Sequence, residues 1–241
     1  IHKMIKVIYI YWAQKFINSP DVVKKCLSSW KLHNSDWKII ELDDDNLYKY
    51  ININMLIPEI NKKEITKTSY SDIVRLFLLE KYGGCWCDAT TFCNKSLDLW
   101  LNACVNDGFF AFDRSNRMDR LILSSWFLYS DKSSYIIKRW RDKTIEYWNK
   151  NNQMDNYFWC HLLFNELYNT DIKFKKIWDD VSKIDTRIPH YIQEHGLLKY
   201  VCDNVKNHVK ECRTPMYKLT YKFDINEYNE DCNLAYLLNK K

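Results

Sequence analysis

The stretch TSYSDIVRLFLLEKYGGCWCDATTF, residues 68–92, constrains the fold more than any other part of this chain. Two of the four glycines stand side by side between a long apolar helical pattern and a short extended one. Gly83 is predicted to end the helix, because glycine adopts the left-handed conformation that helix ends favour. Ser69 or Ser71 is predicted to cap its start, which would place Asp72 in the first turn.

The extended segment after the glycines alternates in its side-chain directions. Cys85 and Cys87 are predicted to point to one face of a strand, and Trp86 and Asp88 to the other. The apolar residues indicate an interior strand with Asp88 at its carboxyl end. Ligands of open α/β sheets bind at that edge. Position alone leaves three interpretations of the carboxylate open, namely a solvated charge, a turn cap or a ligand-binding group.

The opening of the chain predicts a parallel pairing of strands. Residues 6–12, KVIYIYW, and 37–43, WKIIELD, are β-branched and aromatic, and a helical pattern whose N-cap is predicted at Asp21 lies between them. A strand–helix–strand unit of this length is typical of α/β folds. We therefore predict an α/β fold, and the lack of any linker or repeat predicts a single domain over residues 1–241.

The segments that follow residue 100 have less regular hydrophobic patterns than the first half of the chain. Residues 121–130, LILSSWFLYS, are compatible with either a strand or the start of a helix. The remaining segments predict one further strand and two amphipathic helices: residues 108–114, 133–150 and 155–169.

Composition and charge exclude some classes of protein. The net charge of +5 favours anionic ligands such as nucleotide phosphates or an anionic membrane surface, but it falls short of the dense basic stripe of a nucleic-acid binder. No run of 18 apolar residues is present, so no membrane span is expected. The nine cysteines and the absence of a secretory signal predict free thiols in a reducing compartment, and the spacing of Cys85, Cys87 and Cys93 does not match a zinc site.

Asp72 and Arg75 are three residues apart, so they share one face of the predicted helix. The default interpretation of such a pair is a local ion pair of small energetic value. A functional interpretation gains weight because the same helix runs into the two glycines and then into Asp88. The turn would bring all three charged side chains to one edge of the sheet.

Residues 71–90, SDIVRLFLLEKYGGCWCDAT, resemble the S-D-x-x-R…Y-G-G-x-(Y/W)-x-D core of sugar-nucleotide glycosyltransferases. The stretch is most similar to the capsular polysaccharide synthesis proteins, which are relatives of the family-32 glycosyltransferases. Weaker similarity extends over most of the chain. It includes IYIYWAQ, VVKKCLSSWKLHNSDWKIIELD with its C-x-x-S-W…W-x-(I/V)-x-x-L-D pattern, NYFWCH and YKLTYK.

The resemblance implies a GT-A fold, Rossmann-like, with a mostly parallel sheet flanked by helices. It implies transfer of a hexose from a nucleoside diphosphate sugar, with UDP as the expected nucleotide, to a surface polysaccharide or glycan acceptor, with retention of anomeric configuration. Asp72 and Arg75 would contact the donor sugar, and His161 is a candidate acid, base or substrate contact, against the alternative of a structural histidine. The other implied donor contacts are the aromatic residues beside the base, a nearby amide and two lysines near the diphosphate: Tyr11, Trp12, Gln14, Lys218 and Lys222.

The family's D-x-D motif implies that Asp88 helps to hold a divalent metal, Mn²⁺ or Mg²⁺, on the donor diphosphate. This sequence departs from that motif, because Thr90 stands where a second aspartate is expected. Thr90 is expected to act through its hydroxyl or through a water. Near the end of the chain, Tyr217 precedes Lys218 where a metal-binding histidine is expected.

Two other functions remain open from the sequence. One is a non-catalytic glycan- or nucleotide-binding module on the same fold, favoured by the departures at Thr90 and Tyr217. The other is a basic, aromatic nucleic-acid binder, for which a few clustered lysines are the only support, so no nucleic-acid partner is expected. The expected location is the cytoplasm, with peripheral association at the inner face of the membrane left open by a lipid-linked glycan acceptor.

Overall fold

A computed structural model describes residues 3–240. Its centre is a five-stranded sheet. The strands of this sheet have the following bounds: β1 Val7–Tyr11, β2 Lys38–Leu42, β3 Gly84–Asp88, β5 Phe109–Asp113 and β6 Leu123–Ser130. Their order across the sheet is β2-β1-β3-β6-β5.

Four of the five strands run in the same direction. β1 pairs in parallel with β2 and with β3, whereas β6 is antiparallel to both β3 and β5. The prediction of an α/β fold with a mostly parallel sheet is therefore confirmed. β3 lies in the middle of the sheet, so its carboxyl end opens onto the edge where ligands of such sheets bind.

Helices cover the sheet. Helix α2, Lys67–Tyr82, packs against β3, β6 and helix α4, Tyr135–Lys150. Large aromatic side chains fill the core between them, including Trp86, Trp140 and Phe127, which are almost fully buried. None of the helices within residues 3–240 is long and apolar enough to cross a bilayer. The helices have the following bounds: α1 Asp21–His33, α2 Lys67–Tyr82, α3 Leu101–Cys104, α4 Tyr135–Lys150, α5 Trp159–Thr170, α6 Ile172–Asp180, α7 Tyr191–Glu194, α8 Asp203–Lys210 and α9 Asn233–Leu238.

A second, two-stranded sheet joins the middle of the chain to its end. β4, Thr91–Cys93, pairs antiparallel with β7, Met216–Lys218. Thr91 is the register partner of Lys218. A second hydrophobic cluster, which includes Phe92 and residues of α8 and α9, packs on this pair. The pairing of β7 with β4 therefore attaches the last part of the chain to the segment that directly follows Asp88.

Two predicted helix starts were wrong. Helix α2 begins at Lys67, because the Thr66 side chain accepts a hydrogen bond from Ser69 N at 3.2 Å and supplies the cap. Asp72 therefore lies in the second turn, away from the free backbone N–H groups of the helix start. Asp21 is the first residue of α1, and Pro20 occupies the N-cap position with an extended ψ of 153°.

Gly83 ends α2 at a positive φ, as the sequence predicted, but its ψ of −174° is not that of the left-handed helical conformation. No role was predicted for Gly84 from the sequence. Gly83 follows the last residue of α2 with a φ of +71°, and its N–H donates to Leu79 O at 2.9 Å. Gly84 has a φ of +101°, and a Cβ there would lie 2.7 Å from Val7 O. The second glycine thus permits β3 to approach β1 closely.

Residues 121–130 hold a strand, β6, rather than a helix. All eight residues from Leu123 to Ser130 are buried, so both faces of the strand are covered. A segment that is covered on both faces has no alternating pattern, which is why periodicity alone left the two structures open.

Candidate active site

A cavity of about 700 Å³ opens at the edge of the sheet where β1 and β3 end. We call it the central cavity. All ten residues that the sequence singled out line it: Tyr11, Trp12, Gln14, Asp72, Arg75, Asp88, Thr90, His161, Lys218 and Lys222. Their convergence is a property of the fold, whereas the role of each residue stays a prediction.

Three charged side chains form a cluster at the floor of the cavity, and we call Asp72, Arg75 and Asp88 the charged triad. Arg75 Nη2 lies 3.2 Å from Asp72 Oδ1 and 3.3 Å from Asp88 Oδ1. The Arg75 side chain is only 3% exposed. One guanidinium therefore bridges two carboxylates that come from different elements, which is more than the local ion pair expected by default.

Backbone and hydroxyl groups fix the arginine of the triad. Arg75 Nη1 donates to Ser125 O at 2.5 Å and to Ser125 Oγ at 2.9 Å, and Nε donates to Ser71 O at 3.2 Å. Ser125 lies on β6, so the reversed strand of the sheet holds a side chain of α2 in place. Sequence reasoning missed Ser125 because it did not establish that residues 121–130 form a strand.

Trp86 is a further residue of the site that the sequence did not assign to it. Its Nε1 donates to Asp88 Oδ1 at 2.9 Å, and the guanidinium of Arg75 lies 5.0 Å from the centre of a Trp86 ring. The alternation of β3 already placed Trp86 and Asp88 on one face, so this signal was present. Trp86 orients the carboxylate and stacks on its partner cation.

The Asp72 carboxyl is unusual among the charges of the site. Its pKa is raised from 3.8 to about 6, mainly by burial and in smaller part by the nearby Asp88 carboxylate, against the opposing effects of Arg75 and a hydrogen bond from Ser125. Desolvation disfavours the ionised form of a carboxyl. Asp72 thus carries its charge at neutral pH at a cost in stability, which is typical of functional groups.

His161 lies at the start of α5 beside the triad. Burial and the positive charges of Arg75 and Arg114 lower the pKa of its imidazole to about 3. The ring is therefore neutral at physiological pH. Its Nδ1 is buried and has no hydrogen-bond partner among the described residues. A neutral imidazole with an unpaired nitrogen can exchange a hydrogen bond with a ligand in the cavity.

The side of the cavity formed by the end of β1 is aromatic and polar. The Tyr11 hydroxyl donates to Asp44 Oδ1, and Lys67 Nζ lies 2.5 Å from Asp44 Oδ2. Trp12 contacts Tyr221 edge to face, with ring centres 5.2 Å apart. These rings have the shape and polarity that stacking against a nucleobase requires. Tyr221 was not singled out from the sequence.

Lys218 projects from β7 toward the end of β3. Its Nζ donates to Thr90 Oγ1 at 2.6 Å and lies 3.6 Å from Asp88 Oδ2. Tyr217, the neighbouring residue, is fully buried on the opposite side, where its hydroxyl bonds to His208. The residue of this pair that reaches the cavity is therefore the lysine.

The residues expected to hold Mn²⁺ or Mg²⁺ do not fit a divalent ion. Mg²⁺ is usually held by one or two carboxylates together with substrate phosphates, so it needs at least one carboxylate that is open to the ion, and Asp88 is the only carboxylate of the D-A-T segment. Within residues 3–240, no group of three or more His, Cys, Asp or Glu side chains is placed to hold a metal. Asp88 faces Arg75 on one oxygen and Lys218 on the other. The metal itself stays an untested prediction.

His190 and Trp126 complete the wall of the cavity opposite β1. His190 Nδ1 bonds to Thr186 O at 2.7 Å, and the rings of His190 and Trp126 meet edge to face at 5.8 Å. Burial lowers the pKa of His190 to about 4, so this imidazole is also neutral. Neither residue was assigned to the site from the sequence. No sequence pattern surrounds His190, which is a lone histidine after an irregular segment.

Comparison with known proteins places the chain among sugar-transferring relatives. The family model described as capsular polysaccharide synthesis protein matches residues 1–237. The O-glycosyltransferase PaGT of Phomopsis amygdali is 26% identical over 165 residues, a match that covers 62% of this chain and 40% of the relative. The chain therefore spans about two fifths of the length of that curated relative.

Two solved structures show distant likeness. The PaToxG glycosyltransferase has 14% identity and a TM-score of 0.49, with 72% of this chain and 73% of that chain covered. The apo form of the glycosyltransferase GlyE of Streptococcus pneumoniae TIGR4 has 10% identity and a TM-score of 0.43, with 90% of this chain and 55% of that chain covered.

Proposed function

The chain belongs to the capsular polysaccharide synthesis protein family, and from that premise we propose that it is a glycosyltransferase. The reaction would move a hexose from a nucleoside diphosphate sugar to a hydroxyl of a glycan acceptor. The observation that carries the proposal is the convergence of the charged triad, Lys218 and the aromatic wall around one cavity. Family membership and the relatives' names support the same class of reaction.

The cavity suits a nucleotide sugar in size and charge. A volume of about 700 Å³ lies within the range that holds ligands of this size. Tyr11 and Trp12 lie at the end of β1, where they can contact a base, and Lys218 and Lys222 supply positive charge for a diphosphate. Asp72 and Arg75 of the triad, which are buried side chains of the same cavity, are then left for the sugar. We propose that Asp72 and Arg75 bind hydroxyl groups of the donor sugar and hold it for attack.

The transfer step requires one bond to break and one to form. The bond between the anomeric carbon and the phosphate oxygen breaks, and its electron pair leaves with the nucleoside diphosphate. The acceptor hydroxyl forms the new bond to the anomeric carbon, and its proton passes to the departing diphosphate. Positive charge builds on the sugar and negative charge on the leaving group, so the site must stabilise both.

Finer features of the function are proposals on the family resemblance alone. They are a UDP-sugar donor, a surface polysaccharide or lipid-linked glycan as acceptor, retention of anomeric configuration, and action in the cytoplasm or peripherally at the inner face of the membrane. A product analysis by NMR with a simple hexoside acceptor would determine the anomeric outcome.

The proposal is tested with two matched variants of the triad. Asp72→Asn and Asp88→Asn each remove one charge from the cavity without changing side-chain size, and we expect each to lose about 10²- to 10³-fold in transfer rate. Asp98→Asn, which removes a carboxylate paired with Lys6 outside the cavity, is the control and should keep the native rate. Native transfer rates in both triad variants would contradict the proposal.

A non-catalytic binding module is the alternative, and one measurement separates the two. A nucleoside diphosphate sugar is incubated with the protein, with and without a glycan acceptor, and release of the nucleoside diphosphate is followed. Acceptor-dependent release supports a transferase. Tight binding of the nucleotide without any release, over a panel of acceptors, would support the module instead.

A further inference from the structure

Hydrogen bonds fix the backbone around Lys218 next to the carboxyl end of β3. Its backbone N–H donates to Pro189 O at 2.9 Å, and the N–H of the next residue, Leu219, donates to Thr90 O at 2.9 Å. β7 thus lies between two segments that fix its position. The Lys218 side chain is only 18% exposed, so its ammonium group is directed into the cavity and not into bulk solvent.

The ammonium group lies beside two of the three side-chain oxygens that the D-A-T segment offers as ligands. Lys218 Nζ donates to Thr90 Oγ1 at 2.6 Å and lies 3.6 Å from Asp88 Oδ2. A divalent cation on the same two oxygens would lie within a few ångströms of this positive charge. Like charges at that distance repel strongly in a partly buried site. The lysine and a metal are therefore mutually exclusive occupants.

The second oxygen of Asp88 is also committed. Arg75 Nη2 lies 3.3 Å from Oδ1, and Trp86 Nε1 donates to the same atom at 2.9 Å. The carboxylate therefore positions two fixed cations, one on each oxygen. Arg75 is almost fully buried, so its charge does not move away to make room for an ion.

We propose that Lys218 takes the place of a divalent metal, and that sugar transfer by this chain needs no metal ion. The inference rests on the proposed glycosyltransferase function. An ammonium group has three donors, of which Thr90 Oγ1 accepts one at 2.6 Å and Leu219 O a second, longer one at 3.4 Å. The third donor can bond an oxygen of the donor diphosphate, and the positive charge neutralises the negative charge that the leaving group gains when the bond to the anomeric carbon breaks.

The substitution of Thr for the second aspartate of the D-x-D motif is consistent with this assignment. A second carboxylate at position 90 would attract a divalent cation, whereas the neutral hydroxyl of Thr90 orients an ammonium group through one hydrogen bond. The departure from the family motif and the presence of Lys218 are thus two parts of one arrangement. They adapt the site to a monovalent, covalently attached cation.

The experiment measures binding and turnover with the metal removed. UDP, GDP and their glucose and mannose conjugates are titrated calorimetrically into the full chain after treatment with EDTA, and again with added Mn²⁺. We expect one nucleotide to bind with the same affinity in both conditions, within about threefold. Release of the nucleoside diphosphate in the presence of an acceptor should likewise be insensitive to EDTA.

Two variants of the lysine and one control complete the test. Lys218→Met should lower the transfer rate by about 10²- to 10³-fold and weaken nucleotide binding, while Lys218→Arg keeps the charge and should retain a larger share of both. Lys175→Met removes a lysine paired with Asp179 on α6, away from the cavity, and should behave as the native chain. A thermal midpoint near the native value shows that each variant folds. If Lys218→Met does not fold, binding and transfer are compared between Lys218→Arg and the native chain.

The outcomes distinguish this inference from the proposed function. Binding and transfer that require Mn²⁺ would overturn the inference and leave the glycosyltransferase proposal intact. Native activity in Lys218→Met under EDTA would overturn it as well. If no nucleotide sugar binds or turns over in either condition, the proposed function itself fails, and the inference falls with it.

Discussion

Replacing Asp72 with asparagine should make the protein more stable at neutral pH and, at the same time, lower its transfer rate by about 10²- to 10³-fold. The reason is the environment of the side chain. Asp72 is buried, with 6% of its surface exposed, and burial raises the pKa of its carboxyl from 3.8 to about 6. The folded protein therefore resists ionisation of this group, whereas the unfolded chain does not.

The magnitude follows from the two pKa values. Below about pH 4 the carboxyl is protonated in both states and costs nothing. Between about pH 4 and 6 the unfolded chain ionises and the folded protein does not, so the free energy of unfolding falls as the pH rises. Above about pH 6 the full cost is present, and at about 1.4 kcal/mol for each pH unit it amounts to about 3 kcal/mol. Asparagine has no charge to bury and should recover that amount.

The assay is urea unfolding of the native chain and of Asp72→Asn at a series of pH values from about 4 to 8. We expect the two stabilities to be similar near pH 4 and to separate as the pH rises. Asp185→Asn is the control of opposite sign, because the hydrogen bond from Arg187 lowers the pKa of Asp185 to about 2. That carboxylate stabilises the fold above the pKa of the unfolded chain, so its loss should destabilise the protein at pH 8. An Asp72→Asn variant that is less stable than the native chain at pH 8 would refute the reasoning.

Three further predictions concern the site and the turn before it. Trp86→Phe keeps an aromatic ring but removes the hydrogen bond to Asp88, so nucleotide-sugar binding should weaken by about tenfold, and the smaller ring at this buried position should also lower the thermal midpoint; unchanged binding by calorimetry would contradict this role. Gly84→Ala places a Cβ 2.7 Å from Val7 O at a positive φ and should lower the free energy of unfolding by more than about 2 kcal/mol in urea, whereas a neutral effect would show that β1 can move away. His161→Gln should leave the shape of the pH–rate profile between about pH 5 and 8 unchanged, because the pKa of His161 is already lowered to about 3; a lost limb near pH 6.5 would assign that titration to this histidine.

The sequence predicted those parts of the fold whose signals are local. The turn at Gly83 and Gly84, the interior strand before Asp88 and the opening parallel pair all follow from glycine chemistry and β-branched runs. The start of α2 was misplaced because Thr66, Ser69 and Ser71 are all suitable caps, and the sequence alone does not say which one the tertiary structure selects.

The sequence predicted the site residues that belong to a motif. It did not predict the contacts that depend on how the strands pair. Asp72, Arg75 and Asp88 follow from spacing and from the family resemblance. The bond of Arg75 to Ser125 depends on the pairing of β3 with β6, and the contact of Lys218 with Thr90 depends on the pairing of β4 with β7. Such register is set by packing across the whole sheet, so no local pattern in either segment reveals it.

The hydrogen bond between Thr90 and Lys218 joins residues that are 128 positions apart in the chain. Closing a loop of this length costs conformational entropy, which is lost before the contact forms and compensates for it. Strand pairings between such distant residues therefore form late in folding. The five strands of the central sheet are all present once residue 130 has been synthesised, whereas β4 has no partner until β7 emerges from the ribosome. The scaffold and the charged wall of its cavity are therefore completed at different times. A nascent chain that stops short of residue 216 has the strands of the central sheet and the Arg75 partner of Asp88, but it lacks the second cation, Lys218, which only the last part of the chain supplies.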